Sequence, residues 1–342
     1  MLPLVCKVWG GLLRGTSSAW ESVAIDADVD FRNVGAELDT VGMLLWFSRR
    51  AGSIRTLRVV GHLPMLSCSM LSSILMSQSA SLRDLHISFE KNIIAPAELA
   101  VLTTLTALER LSISLPSKRE DEVEWMDDSG SVLLRVISSL PALVFLEFNE
   151  DLETACTLVP SLSTLAKLQS STLTSFHVDS CHLSHESVLT FGNLPRLVTF
   201  EIALITHNDE ALHVPEDAFE GVLSLAKLDI SCSGSILLLA PTCLSKLTML
   251  TVLVLKFCNL QDVPEALLGV KASLRQLDLT CNIDLQISQA GFDILLALPS
   301  LRAIDLEKDD MTWESSSLQF LVRYLSVRNE LYPGSVQPTL LV

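Results

Sequence analysis

Ten times between Ile54 and Leu306 the chain repeats one phrase, apolar residues spaced L-x-x-L-x-L, and nothing else in its 342 residues constrains the fold so strongly. The phrases begin at Ile54, Leu82, Leu108, Leu143, Leu173, Leu197, Leu225, Leu250, Leu274 and Leu301, with starts 28, 26, 35, 30, 24, 28, 25, 24 and 27 residues apart. Alternation over the last three positions is the period of a strand with one buried face, and the first apolar residue closes the turn into it. A unit this short cannot enclose its own apolar side chains, so neighbours must stack and share one continuous core.

The period and the phrase resemble those of leucine-rich repeats. The resemblance implies an α/β solenoid, with a curved parallel sheet on the concave face, helices or helical turns on the convex face, and helical caps. Apolar residues at helical spacing in AELAVLTTLTALERL (from Ala97), CLSKLTMLTVL (from Cys243) and GFDILLALPSLRAI (from Gly291) fit the convex elements. Pro96, Pro116, Pro141, Pro195, Pro241, Pro264 and Pro299 all fall between phrases, where breakers belong.

Trp20-Glu21-Ser22-Val23-Ala24-Ile25 reads as an eleventh, leading strand phrase. At the other end SSSLQFLVRYLSVRNEL (from Ser315) reads as a capping helix, with Leu318, Leu321, Val322 and Leu325 apolar and Arg323, Arg328, Asn329 and Glu330 facing water. The closing LYPGSVQPTLLV, with two prolines, is expected to be an irregular tail. The expected organisation is an N-terminal cap at 1–19, the repeats at 20–313 and a C-terminal helix and tail at 314–342.

The eight cysteines are scattered without a C-x-x-C pair, and the chain holds no N-x-S/T sequon, so reduced thiols and an intracellular location are expected. Cys181 and Cys258 stand three residues past a strand phrase, where Asn282 stands in a later repeat, a position whose side chain bonds the backbone of the turn. Ser235 to Phe257 is strongly apolar, but Lys246 and recurring Ser and Thr argue against a membrane span. In the first residues, MLPLVCKVWGGLLRG, Lys7 and Arg14 interrupt the apolar run and no cation precedes it, unlike a secretory leader.

The same N-terminal stretch carries Leu4, Val5, Cys6, Lys7, Trp9 and, after a loop, Trp20. This order resembles the second half of an F-box, which closes on a leucine, Val-Cys-Lys/Arg, a nearby tryptophan and a second tryptophan leading into repeats. The resemblance covers about 25 residues and implies a substrate receptor of a Skp/cullin/F-box type ubiquitin ligase. In such a receptor Leu4, Val5, Cys6, Trp9 and Trp20 would contact a Skp-type adaptor while the repeats hold the substrate. The motif's first half, opening Leu-Pro-acidic, is not present in this chain. Alternatively the stretch is only an amphipathic cap over the open end of the array.

The residue between the last two apolar positions of each phrase points out of the sheet. The resulting row is Ala24, Arg58, His86, Ser112, Glu147, His177, Glu201, Asp229, Val254, Asp278 and Asp305. Its second half is acidic, Asp179 and Glu307 add charge, and Phe145 and Val252 offer apolar anchors. The row is either a solvated acidic face or a groove for a protein ligand with a basic segment. Net charge of −16 argues against nucleic acid as a partner and disfavours an anionic membrane. The insertion SKREDEVEWMDDSG (from Ser117) is expected to bulge as an acidic loop around Trp125.

No phosphate loop, dinucleotide glycine set, G-x-S-x-G or H-E-x-x-H occurs, and His177, Cys181, His182 and His185 match no tetrahedral zinc spacing. No catalytic residue, cofactor or metal is therefore expected. The sequence supports an intracellular recognition protein, cytoplasmic or nuclear. It is either a ligase receptor or a scaffold or regulator of the cytoskeletal or axonemal kind.

Overall fold

The computed structural model describes residues 21–26, 52–60, 68–88, 100–115, 136–150, 168–182, 186–205, 211–233, 236–282, 285–306, 315–332 and 339–341. They belong to two compact units, Met1–Leu158 and Val159–Val342. Each is a leucine-rich-repeat stack built on a parallel sheet, with one strand per phrase.

In the first unit β1 (Ser22–Asp26), β2 (Thr56–Val60), β3 (Asp84–Ser88), β4 (Arg110–Leu115) and β5 (Phe145–Glu150) lie side by side in that order. The leading phrase at Trp20 thus supplies a strand. Register is strict: Ala24 pairs with Arg58, Arg58 with His86, His86 with Ser112 and Ser112 with Glu147. It is held from behind by the buried leucines, because Leu57, Leu85, Leu111 and Leu146 are fully buried and a slip of one residue would turn all of them outward.

A second lock sits at each strand entrance, where two consecutive amides share one carbonyl of the preceding repeat. Arg83 N and Asp84 N both donate to Arg55 O at 2.8 and 2.9 Å, and Glu109 N and Arg110 N both donate to Arg83 O at 2.8 Å. A carbonyl has two lone pairs, so the sharing leaves neither amide unpaired. Helix α1 (Cys68–Ser77) backs this sheet, and buried Gln78 after it accepts from Gly52 N and Ile54 N at 3.2 and 3.4 Å.

In the second unit the strand order is β6 (Ser175–His182), β8 (Thr199–Ile205), β10 (Lys227–Ser233), β12 (Val252–Lys256), β13 (Gln276–Asp278), β14 (Ala303–Asp305) and β15 (Thr339–Leu341), after a separate β7 (Glu186–Val188). The same shared-carbonyl lock recurs, as where Thr251 N and Val252 N both meet Ala226 O at 2.8 and 3.0 Å. Phe176, Phe200, Phe191 and Phe219 run through the core as edge-on and stacked rings 4.6 to 5.6 Å apart.

Three expectations about the periphery change. Of the described residues, the convex stretches from Ala97 and Cys243 take the helical-turn form, a 3-10 turn at Ala100–Thr104 and turns after Cys243, not full helices. The stretch from Gly291 does contribute to a helix, α2 (Gln289–Leu296), capped by the Ser288 hydroxyl accepting from Gly291 N. Behind β8 and β10 the chain instead forms a second parallel sheet, β11 (Ile236–Leu239), β9 (Ala211–Val214) and β7, in that order. Repeats of 24 to 28 residues leave little chain for a helix, and Leu212, Val214 and Leu237 alternate as a half-buried strand requires.

The terminal tail is not wholly irregular. Its last apolar residues form β15, whose Leu340 stands in register with Ile304 and covers the edge of β14.

Helix α3 (Ser315–Leu331) forms as expected, but presents a different face. Val322 is 70% exposed, whereas Tyr324 and Arg328 are fully buried. The pair sits four residues apart, one turn above the other, against the carbonyls that follow α2, and polarity alone did not reveal this contact.

Close approach of neighbouring repeats requires glycine most tightly at Gly221. A Cβ on Gly221 would lie 1.8 Å from Gly192 O, a backbone atom with little room to retreat. Gly221→Ala is therefore expected to destabilise the second unit by about 2 kcal/mol in urea denaturation, in the range of overpacked cores.

Candidate functional site

Period-two side chains on the outward face of each sheet form a polar strip, and the strand registers bring the expected row together within each unit. In the first unit Ser112 Oγ donates to Glu147 Oε2 at 2.6 Å, so it must accept from His86 Nδ1–H at 2.9 Å. Burial lowers the His86 pKa, helped by the Arg58 charge and opposed by Glu147 and Asp84. Phe145 is not a bare apolar anchor, because the Arg110 guanidinium lies 4.2 Å from its ring centre.

In the second unit Glu201 stands at the centre. His177 Nδ1 meets Glu201 Oε2 at 2.8 Å and Lys227 Nζ meets Oε1 at 2.5 Å. Burial pulls the Glu201 pKa up, but the Lys227 hydrogen bond and the charges of His177 and Lys227 bring it below the usual carboxylate value. Lys227 also approaches Asp229 Oδ2 at 3.7 Å, and Lys256 pairs with Asp278 at 3.0 Å. The Asp278 hydrogen bond holds the Lys256 pKa above its ordinary value, against the effect of burial.

Asp229 lies in register between Glu201 and Val254, and Asp278 and Asp305 follow. Burial, reinforced by Glu201 and Asp278 and opposed by Lys227 and Lys256, raises the Asp229 pKa. Asp278 is more enclosed than its place in the row suggests. Its Oδ1 accepts from Thr280 N and Thr280 Oγ1 at 3.0 and 2.8 Å, which makes it a brace for the turn as much as a surface charge.

Val254 is buried, whereas Val252, one pleat earlier on the strip, is half-buried, and Asp179 is exposed. Leu4, Val5, Cys6, Trp9, Trp20 and Glu307 lie outside the described residues, as does the insertion at 117–130.

Two features were missed from the sequence. Lys227 precedes Asp229 by two residues and Lys256 follows Val254 by two, so strand periodicity puts both lysines on the strip. The second unit's strip therefore carries Asp179, Glu201, Asp229, Asp278 and Asp305 against Lys227 and Lys256, an acidic surface already part-neutralised. The same period places Ser175 beside His177, and Ser175 Oγ meets His177 Nε2 at 2.7 Å.

Among the described residues no three potential metal ligands converge, and no helix is long and apolar enough to cross a membrane. Cys232, Cys243, Cys258 and Cys281 are not in disulfides. Burial pushes the Cys243 pKa up to about 12, so that thiol stays protonated and unreactive.

No protein-family model matches the chain, and no curated protein matches it. Among solved structures it is similar to the TLR13–ssRNA13 complex, at 15% identity and TM-score 0.34 over 85% of this chain and 51% of that one. It is also similar to mouse RP105/MD-1, at 14% identity and TM-score 0.18 over 80% of this chain and 66% of that one. The chain spans about half the length of the first of these.

Proposed function

We propose that this chain is a non-catalytic protein-recognition module, whose second unit takes a basic segment of its partner along the strip from Glu201 to Asp305. The observation that carries this reading is the incompletely balanced carboxylate row. Asp229 is half-buried among Glu201, Asp278 and two lysines, and burial raises its pKa, so the free strip keeps this carboxylate charged at a desolvation cost. An incoming arginine or lysine supplies counter-charge to the carboxylates that Lys227 and Lys256 leave in excess along the row.

The neutral isosteres Asp229→Asn and Asp305→Asn test it without disturbing the Asp278 brace. Fluorescence anisotropy with a labelled octa-arginine peptide is expected to show the double variant binding about tenfold more weakly, ~1.4 kcal/mol. Equal affinity for wild type and variant would remove the strip as the site.

Asp229→Asn should also raise stability at neutral pH, by about 1 kcal/mol or less. The sign follows from linkage: a carboxyl whose pKa is raised by folding favours the folded state below its unfolded pKa. That contribution is lost as pH rises through the folded value. Thermal melts of wild type and Asp229→Asn should therefore separate at neutral pH and converge in acid.

The wider role that fits is an F-box/leucine-rich-repeat receptor of a Skp/cullin/F-box ubiquitin ligase acting inside the cell. The repeats at 20–313 would hold the substrate, the segment 1–19 would face the adaptor, and 314–342 would close the far end. Support comes from Leu4, Val5, Cys6, Lys7, Trp9 and Trp20 in the sequence, together with the repeats that follow. Co-purification with a Skp-type adaptor, lost on Trp9→Ala, is the expected result. Absence of enrichment over an unrelated repeat protein would leave a scaffold or regulator without a ligase role.

A further inference from the structure

We propose that Ser175 is a nucleophilic serine, activated by His177 and Glu201, that accepts an acyl group from an activated ester. Three groups meet in the order hydroxyl, imidazole, carboxylate: Ser175 Oγ to His177 Nε2 at 2.7 Å, then His177 Nδ1 to Glu201 Oε2 at 2.8 Å. The same order of groups activates serines on unrelated folds and in different sequence orders.

The hydrogen positions follow from the acceptors. An ionised Glu201 cannot donate, so the tautomer with the ring proton on Nδ1 fits this arrangement and leaves the Nε2 lone pair for the Ser175 hydroxyl. Lys227 occupies the other carboxylate oxygen, Oε1, which orients Oε2 toward the imidazole. The His177 and Glu201 side chains retain 23% and 33% exposure, and Ser175 is half-buried, so a small acyl donor has access.

Rigid elements set this geometry. Ser175 and His177 are one pleat apart on β6, and Glu201 is the register partner of His177 on β8. The phrase that buries Phe176 and Val178 thereby turns Ser175 and His177 out together.

The step balances on these groups. Ser175 Oγ bonds to the acyl carbon of an aryl ester or thioester as its proton passes to His177 Nε2. The tetrahedral adduct then collapses, the bond to the phenolate or thiolate breaks, and that group leaves with the proton from Nε2. The products are an acyl-serine and a phenol or thiol, and water is needed only for later release.

Release is expected to be slow. The amide of Thr199, the residue in register with Ser175, is already donated to Thr174 O at 3.0 Å, so it is not available to an oxyanion. The site therefore behaves as an acyl acceptor with poor turnover, and it shares only Glu201 with the strip, so Ser175→Ala tests it without touching the basic-segment reading.

The test is p-nitrophenyl acetate added to the full chain, with nitrophenolate release followed by absorbance and the acetyl group located by peptide mass spectrometry. Wild type is expected to release about one equivalent in a burst and to carry the acetyl group on Ser175. Ser175→Ala and His177→Gln should each slow the burst about 100-fold, the scale of general-base assistance. Ser175→Ala removes one oxygen from a half-buried side chain and leaves the sheet intact, as a matching thermal melt would show. Glu201→Gln should give an intermediate loss through misorientation of His177. Acetylation spread over lysines, or a burst unchanged in Ser175→Ala, would overturn the proposal.

Discussion

Asn282→Ala is expected to destabilise the second unit by about 3 kcal/mol, because one side chain there satisfies the backbone of two successive repeats. Its Oδ1 accepts from Cys258 N at 2.9 Å and Leu260 N at 3.3 Å. Its Nδ2 donates to Leu255 O and Leu279 O at 2.7 and 2.8 Å. All of these groups are buried, so truncation leaves donors and acceptors without water or partner, at about 1–3 kcal/mol for each group left unpaired. The sum is lower than simple addition because the turn relaxes.

Asn282→Asp is expected to be about as severe, since it removes the two donors and adds a buried charge. Cys258 fills the same ladder position one repeat earlier with a weaker group, donating through Sγ to Lys256 O at 3.1 Å and Ile230 O at 3.4 Å. Cys258→Ala should therefore lose only about 1 kcal/mol. Urea denaturation followed by circular dichroism checks the ranking, and equal losses at the two positions would contradict it.

Arg328→Met is expected to cost about 3–5 kcal/mol, in the range for disrupting a buried charged network. The guanidinium is fully buried and donates to Leu298 O at 2.9 Å, Pro299 O at 3.1 Å and Leu301 O at 2.7 Å, with the Tyr324 hydroxyl at 3.2 Å. Among the described residues its Nε finds no hydrogen-bond partner. The accepting carbonyls follow the C-terminus of α2, where the helix dipole favours a cation, so the charge is accommodated by oriented carbonyls.

Methionine has the length but none of the donors, and lysine cannot reproduce the planar fork. Either change should undock α3 first, seen as faster hydrogen exchange in 315–331 and early proteolysis there. A loss below about 1 kcal/mol would mean that α3 contributes little to closing the repeats.

The strand phrases were legible because a two-residue period and a repeated leucine register leave one way to bury Leu57, Leu85, Leu228 and Leu253. The outward row followed from the same period. Short convex segments were not legible, since an apolar run of four or five residues suits a strand, a 3-10 turn or a helix alike. Arg328 was placed in water by its charge alone, and only packing against the carbonyls after α2 reverses that. The strip was read as more acidic than it is because, of the positions one pleat from the row, only Asp179, Phe145, Val252 and Glu307 were counted. Lys227, Lys256 and Ser175, one pleat away on the same face, change its chemistry.

Zero-length carbodiimide cross-linking of an oligolysine peptide to the intact chain, with the linked carboxylates mapped by mass spectrometry, tests the recognition reading most directly. Amide bonds from peptide lysines to Glu201, Asp229 and Asp305, suppressed by added salt, are the expected result. Cross-links confined to Glu120, Asp121, Glu122, Glu124, Asp127 and Asp128 would contradict it, because the acidic insertion and not the sheet would then hold the basic ligand.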